Sequence, residues 1–397
     1  MLRGIALALV AVVSFGVAGV ATGYVRLQNN IHTEDVQHLL GERPDRPEPQ
    51  DPEDPNAGRA LTLLLMGSDV RSGENGEIGG VVDGMRSDTT IVAHISADRS
   101  RVELVSIPRD SRVTIPSCNY NDGTSSRSQS ARFNAAFSIG AAHDDVGEAA
   151  ACTVRTVEQL TGVYIDGWAV VDFAGFERMV EALGGVQMCI PEEMYSKKAQ
   201  LHLLPGQQVL NGQQALALAR ARTGEGLGNG SDLMRLGRQH QLLGAIAQGV
   251  LSKNMLTDSA SLYQFLNAAT QSLTTSPELG SIPTLTGLAF SLKDVPSGNI
   301  VFMTIPNVTN PSDPNEVVWA PDAGKVWSAI INDTPIVPPA ATPTAPETTA
   351  PGATAPANPA PGTTAPAPGA GTPVTPTETP TPGVDPITAD DVSTVCG

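Results

Sequence analysis

The stretch "GMRSDTTIVAHISADRSRVELVSIPRD", residues 84–110, holds two apolar runs of strand length, "TTIVAHIS" (89–96) and "RVELVSIP" (101–108). The second follows the first closely enough for the two to pair as neighbouring strands. Each run carries an arginine and an aspartate at one end: Arg86 and Asp88 before the first, Arg109 and Asp110 after the second. Charges placed like that need partners.

Outward from this pair, "LTLLLMGSD" (61–69) is a third run of strand length, and "VVDFAGF" (170–176) and "NIVFMTIP" (299–306) read as further strands or strand-to-helix joints. "EAAACTVRTVEQLTG" (148–162) and "FAGFERMVEALGG" (173–185) space their apolar residues as helices do and end in glycine. Strands alternating with helices predict a layered α/β or α+β core.

That core occupies only part of the 397 residues. No residue from Gly4 to Val25 is charged, and about 20 such residues cross a ~30 Å hydrocarbon layer as a helix. Residues 1–26 are therefore expected to be an uncleaved membrane anchor, with a cleaved signal peptide as the alternative. Residues 27–58, including the proline-rich "ERPDRPEPQDPED" (42–54), are expected to form a stalk. The folded domain is expected over 59–333, and the Pro/Ala/Thr-rich 334–397 as a disordered tail. Four cysteines imply an oxidising compartment, hence a single-pass protein of the cell membrane whose domain lies outside the cytoplasm. Cys118 is expected to pair with Cys152, leaving Cys189 for Cys396. The formal charge is −17 and no basic recognition helix is legible, so no nucleic-acid partner is expected.

Arginines recur at element ends: Arg86, Arg109, Arg220, Arg222, Arg235 and Arg238. The arginine fork suits phosphate and carboxylate. In the segment 211–252, an apolar stretch ends in Arg220 and Arg222, a glycine-rich loop follows, and then a helix that Ser231 or Asp232 can cap. Arg235 and Gln239, four apart, share one face of that helix. Asp69, Asp83 and Asp88 flank the first strands, and carboxylates around a phosphate make a Mg²⁺ site; turn aspartates are the plainer alternative. No Ser-His-Asp or Cys-His pattern is legible, and His94, His143, His202 and His240 lack neighbours at ligand spacing.

"LLLMGSDVR", "RSDTTIVAHI", "VSIPRDSRV", "RFNAAFSIG", "TGVYIDGWAVVDFAGFERMVEALGGV", "GQQALALARAR" and "GSDLMRLGRQ" resemble, in this order, the successive motifs of the LytR-CpsA-Psr family over residues 60–306. The anchor, stalk and tail also look like those of actinobacterial members. The resemblance implies an α/β/α sandwich with a central mixed sheet and a hydrophobic pocket for a lipid chain. It implies a phosphotransferase moving a glycopolymer, such as teichoic acid, capsule or arabinogalactan, from a polyprenyl-pyrophosphate carrier to peptidoglycan. By motif position, Arg86, Arg109, Arg220, Arg222, Arg235 and Gln239 would hold the pyrophosphate, and Asp69 and Asp88 would hold Mg²⁺. The glycine-rich gap between Asp69 and Asp88 departs from the pattern and leaves Asp83 as an alternative ligand; "RQH" stands where a second glutamine is common.

The chemistry adds two expectations. Transfer to a sugar hydroxyl needs a base, and Asp232 beside Arg235 is the candidate, with helix capping as the other reading. Phe133, Phe137, Phe173, Phe176 and Val180 are candidates for an apolar lipid groove, or else plain core. Rival functions are a pyrophosphatase or phosphatase with water as acceptor, a non-catalytic binder of wall polymer, and a transcriptional attenuator, against which the missing basic helix argues.

Overall fold

The chain is described by a computed structural model over residues 14, 21–46, 58–69, 84–251, 258–337, 383 and 385–393. Eight strands make the central sheet: β1 (His32–Thr33), β2 (Leu61–Ser68), β3 (Ser87–Ile95), β4 (Val102–Ile107), β5 (Gly167–Val171), β6 (Leu273–Thr275), β7 (Ile300–Thr304) and β8 (Ile387–Thr388). They lie in the order β1-β6-β5-β2-β3-β4-β7-β8. The expected hairpin forms, with β3 and β4 antiparallel from Thr90 opposite Ile107 to Ile95 opposite Val102. β3 also runs antiparallel to β2, while β5 runs parallel to β2 and β7 parallel to β4. The C-terminal ends of β2, β4, β5 and β7 therefore share one sheet edge with the start of β3.

Helices are named in chain order: α1 (Ala135–Gly140), α2 (Val146–Thr161), α3 (Phe173–Ala182), α4 (Gly212–Arg220), α5 (Asp232–Leu251), α6 (Ser259–Thr270), α7 (Ile282–Ser291) and α8 (Ala323–Ile331). Successive strand residues face opposite sides, and both sides are covered, which is why the strand sequences read as continuous apolar runs rather than alternating ones. On one side Leu64, Met66, Val92, Val105 and Trp168 pack against α2 and α8 residues such as Val154, Val157, Val326 and Ile330. On the other, Leu63, Ala93, Ile95 and Ala169 meet Leu285 and Leu288 of α7, and Phe302 meets Leu243 and Leu251 of α5. The mixed-sheet α/β/α sandwich is the architecture expected.

Cys118 and Cys152 are joined by a disulfide across a separation of 34 residues. Cys189 is also disulfide-bonded; Cys396, its expected partner, lies outside the described residues.

Two segments differ from expectation. Residues 27–58 are not wholly a stalk: residues 21–30 are helical, Val36, Leu39 and Leu40 are buried in the main core, and Arg43 pairs with Glu158 of α2 at 2.6 Å. Arginine and the apolar spacing of "VQHLL" overcome the surrounding prolines there. Nor is 334–397 wholly a tail, because Ile387 pairs with Phe302 and Thr388 with Val301 along β7. Most of residues 1–26 lie outside the described set, and among the described residues no helix is long and apolar enough to cross a membrane.

Candidate functional site

The shared sheet edge gathers the charges from four segments. In the β2–β3 ladder Gly67 faces Thr89 but Ser68 faces Ser87, so Asp88 is the extra residue of a bulge, a feature that re-aims a side chain. Asp88 Oδ2 reaches Arg109 Nη1 at 2.8 Å. Arg109 Nε lies 3.5 Å from Asp232 Oδ1 at the start of α5, and Arg235 Nη2, one turn on, lies 2.8 Å from the same oxygen. Arg235 Nη1 closes the ring at 3.9 Å from Asp88 Oδ2, and Arg235 Nη2 donates to the Asp88 carbonyl at 2.8 Å. Asp88, Arg109, Asp232 and Arg235 thus form a closed square of alternating charge.

Position in the square sets each group's protonation. Burial works to raise the Asp88 pKa, but Arg109 and Arg235, with a hydrogen bond from Asn134, outweigh it and hold the carboxyl below its usual range. Burial also dominates at Asp232, where its two arginines do not compensate, so this carboxyl sits above the usual range. Arg109 feels burial too, yet Asp88, Asp232 and Asp110 hold its pKa up. Arg235 is buried enough that its pKa falls despite both aspartates. Neither Asp232 oxygen, nor Arg109 Nε or Arg235 Nε, has a hydrogen-bond partner among the described residues. The two buried Nε–H donors demand acceptors, which an anion among the arginines supplies, whereas the Asp232 oxygens call for a donor such as a hydroxyl.

The other expected residues are placed around this square. Arg220 ends α4 with its guanidinium 4.4 Å from the centroid of the Phe173 ring; the capping box of Asn211 and Gln214 starts that helix. Arg222 follows it and is close enough to Asp232 and Arg235 to act on both electrostatically. Arg86 is exposed, and its backbone exchanges two hydrogen bonds with Asp69: Asp69 N–H to Arg86 O at 2.9 Å and Arg86 N–H to Asp69 Oδ1 at 2.7 Å. Gln239 is only 7% exposed. Its amide donates to the Ala219 carbonyl at 2.9 Å and its oxygen accepts from Thr89 Oγ1 at 3.4 Å, so it ties the end of α4 to β3. Asp83 lies outside the described residues.

Arg238, grouped by sequence with phosphate-binding arginines, points elsewhere. It is buried and donates to the carbonyls of Leu227, at 2.9 Å, and Ala221, clamping the glycine-rich loop that carries Arg222. Burial and the neighbouring Arg235 bring its pKa down to about 10. Asp110, flagged in sequence only as a flanking charge, lies 3.5 Å from Arg109 Nε and 3.3 Å from Arg132 Nη1; Asn134 is a partner that sequence reasoning missed, for the motif "RFNAAF" held it in plain view without signalling its direction. His240 is buried with Nε2 2.8 Å from Ser106 Oγ; burial lowers its pKa to about 4, so it packs α5 on β4 as a neutral ring.

The groove expected from five apolar residues is not one surface. Phe133 and Phe137 are 1% exposed within the main core. Phe176 and Val180 pack in a separate cluster with α4 and α5. Only Phe173, under Arg220, touches the arginine site. Periodicity shows which positions are apolar, not which core they join.

As candidates for a cation site, Asp69, which accepts from the Arg86 N–H, and Asp88 offer oxygen donors only, the type a hard divalent ion takes. Asp88 would be shared with Arg109.

The LytR_cpsA_psr family model matches residues 24–329. The chain is 32% identical over 249 residues to the probable cell wall biosynthesis protein LcpB of Corynebacterium glutamicum, covering 61% of this chain and 53% of that protein. It is 32% identical over 166 residues to the polyisoprenyl-teichoic acid–peptidoglycan teichoic acid transferase TagV of Bacillus subtilis, covering 41% of this chain and 38% of TagV. The chain thus spans about half the length, or less, of these relatives. The crystal structure of B. subtilis TagV superposes with a TM-score of 0.52 at 24% identity, over 70% of this chain and 99% of that one, a likeness of fold.

Proposed function

The chain belongs to the LytR_cpsA_psr family, and on that premise we propose that it is a phosphotransferase moving a glycopolymer from a polyprenyl-pyrophosphate carrier to peptidoglycan. Relatives named as teichoic acid–peptidoglycan transferases and cell wall biosynthesis proteins support the reading. The observation that carries it is the charge square at the sheet edge, with Arg220 and Arg222 beside it and buried guanidinium donors without hydrogen-bond partners.

In this reading Arg86, Arg109, Arg220, Arg222 and Arg235 receive the pyrophosphate, and fixed positive charge is worth most at the buried Arg235. Gln239 keeps Arg220 in place rather than touching phosphate. Asp69 and Asp88 are the residues that would hold Mg²⁺, which when bound neutralises pyrophosphate charge. The acceptor hydroxyl attacks the sugar-linked phosphorus, the bond to the lipid phosphate breaks, and the hydroxyl proton passes to Asp232. A carboxylate raised by burial suits that task. The lipid phosphate leaves toward the arginines.

The location follows as part of the proposal: a single-pass anchor in residues 1–26 and the domain outside the cytoplasm. The Cys118–Cys152 disulfide supports an oxidising compartment.

The test is a product assay with polyprenyl-pyrophosphate glycan and a peptidoglycan fragment. Glycan phosphate attached to the fragment is the expected product. Free glycan phosphate alone, formed as fast with the fragment as without it, makes water the acceptor and the protein a pyrophosphatase.

A further inference from the structure

The last described residues, 385–393, are joined to the domain through a stretch, 338–382, that is almost wholly Pro, Ala, Thr and Gly. Yet they dock on the edge of β7 and on α5, the helix that carries Asp232, Arg235 and Gln239. Ile387 and Thr388 pair antiparallel with Phe302 and Val301, and the Ala389 N–H donates to the Ile300 carbonyl at 3.0 Å. Gln248 of α5 donates to the Ala389 carbonyl. Val392 sits over Gly244 of α5, where a Cβ would come within 2.7 Å of Val392 Cγ2. The segment is shaped from within as well: the backbone and hydroxyl of Thr388 both donate to Asp391 Oδ2, at 2.6 and 2.9 Å.

We propose that residues 385–393 are a tethered clasp, a strand-addition ligand that the β7 edge and the Gly244 notch accept, release and re-bind within one chain. Three buried apolar side chains, Ile387, Ala389 and Val392, and a two-residue strand make a small contact. Such a contact binds weakly from solution but is held by the high effective concentration that covalent linkage within one chain gives. Docked, the clasp covers an otherwise open sheet edge and braces α5 behind the charge square.

The experiment uses the full chain. Ile387→Asp and, separately, Val392→Asp should each cut hydrogen-exchange protection of residues 299–304 and 243–251 at least tenfold while β2, β3 and β4 keep theirs. A synthetic peptide of residues 385–393, added in excess, should restore the lost protection, and the same peptide carrying the Asp should not. Loss of protection throughout β2 to β4 in both variants would make the segment an integral part of the core and overturn the proposal, as would unchanged protection in both. Wild-type protein that dimerises by light scattering, with β7 protection rising with concentration, would place the segment on a second copy and overturn the within-chain assignment.

Discussion

Asp88 Oδ2 and Arg109 Nη1 stand 2.8 Å apart where the β3–β4 ladder, in register at Thr90 and Ile107, would place its next like-facing pair. Of the charges that flank the two strands, Asp88 and Arg109 are thus each other's partners, and the bulge at Asp88 turns them toward α5. Each group in the square has a separable consequence.

Removing an arginine proposed to receive the pyrophosphate should end transfer without unfolding the domain. Arg109→Ala and Arg220→Ala are each expected to lower the transfer rate by ~10²–10³, the scale of losing one donor to developing charge, with Tm little changed. Near-normal turnover in both variants would remove the arginine cluster from the reaction.

Neutralising Asp88 should act through the metal and through Arg109 together. Asp88→Asn is expected to lose most activity and to regain part of it at high Mg²⁺, whereas no amount of Mg²⁺ should rescue Arg109→Ala. A wild-type rate untouched by chelator would leave Asp88 as the partner of Arg109 alone.

The proposed base role of Asp232 sets a pH dependence. Asp232 takes a proton only when ionised, and its raised pKa shifts the acid limb of the rate profile to higher pH; Asp232→Asn should lose both the rate and that limb. Stability runs in opposite senses at the two aspartates. The raised Asp232 subtracts stability as pH rises from about 3.9 through its folded pKa. The lowered Asp88 contributes stability above about 3.9, lost as pH falls through its folded pKa. Kinetic profiles and acid melts of both variants separate the two; an acid limb that persists in residual Asp232→Asn activity would exclude Asp232 as the base.

Arg238→Met keeps the side chain's bulk but gives up its donors to Leu227 and Ala221. Freeing those carbonyls should cost about 1–3 kcal/mol of stability and raise hydrogen exchange across residues 221–230. Unchanged exchange there would show that the loop is held by other contacts.

Opening the Cys118–Cys152 loop of 34 residues by Cys118→Ser with Cys152→Ser should remove roughly 3–4 kcal/mol on chain-entropy grounds. Thermal melts measure it, and unreduced peptide mapping of the native protein should find Cys118 protected from alkylation.

Strands β2, β3, β4 and β7, and the end of β5, were legible because they are continuous apolar runs between turn residues, and the β3–β4 pair because so few residues connect it; β1, β6 and β8, of two or three residues each, carry no such run. The motifs named Arg109 and Arg235, the chemistry named Asp232, and the fold brings the three together at one edge. Arg238 was not separable from them, since a guanidinium facing carbonyls and one facing phosphate have the same sequence pattern. Phe133 and Phe137 could not be assigned a core from spacing, because helical period is blind to which layer a face meets. Residues 385–393 escaped notice because the tail's composition is an average, and a docking strand of two residues hardly moves it.

The paired hydrogen bonds between Asp69 and Arg86, 2.9 and 2.7 Å, also bear on insertions. They close the chain on itself where it leaves β2 and returns to β3, so the residues between can grow in number without altering the register of either strand. Loop closure makes this inexpensive, since doubling such a length adds only about 0.6 kcal/mol. The number of residues between Asp69 and Arg86 can therefore change while Asp88 stays where Arg109 meets it.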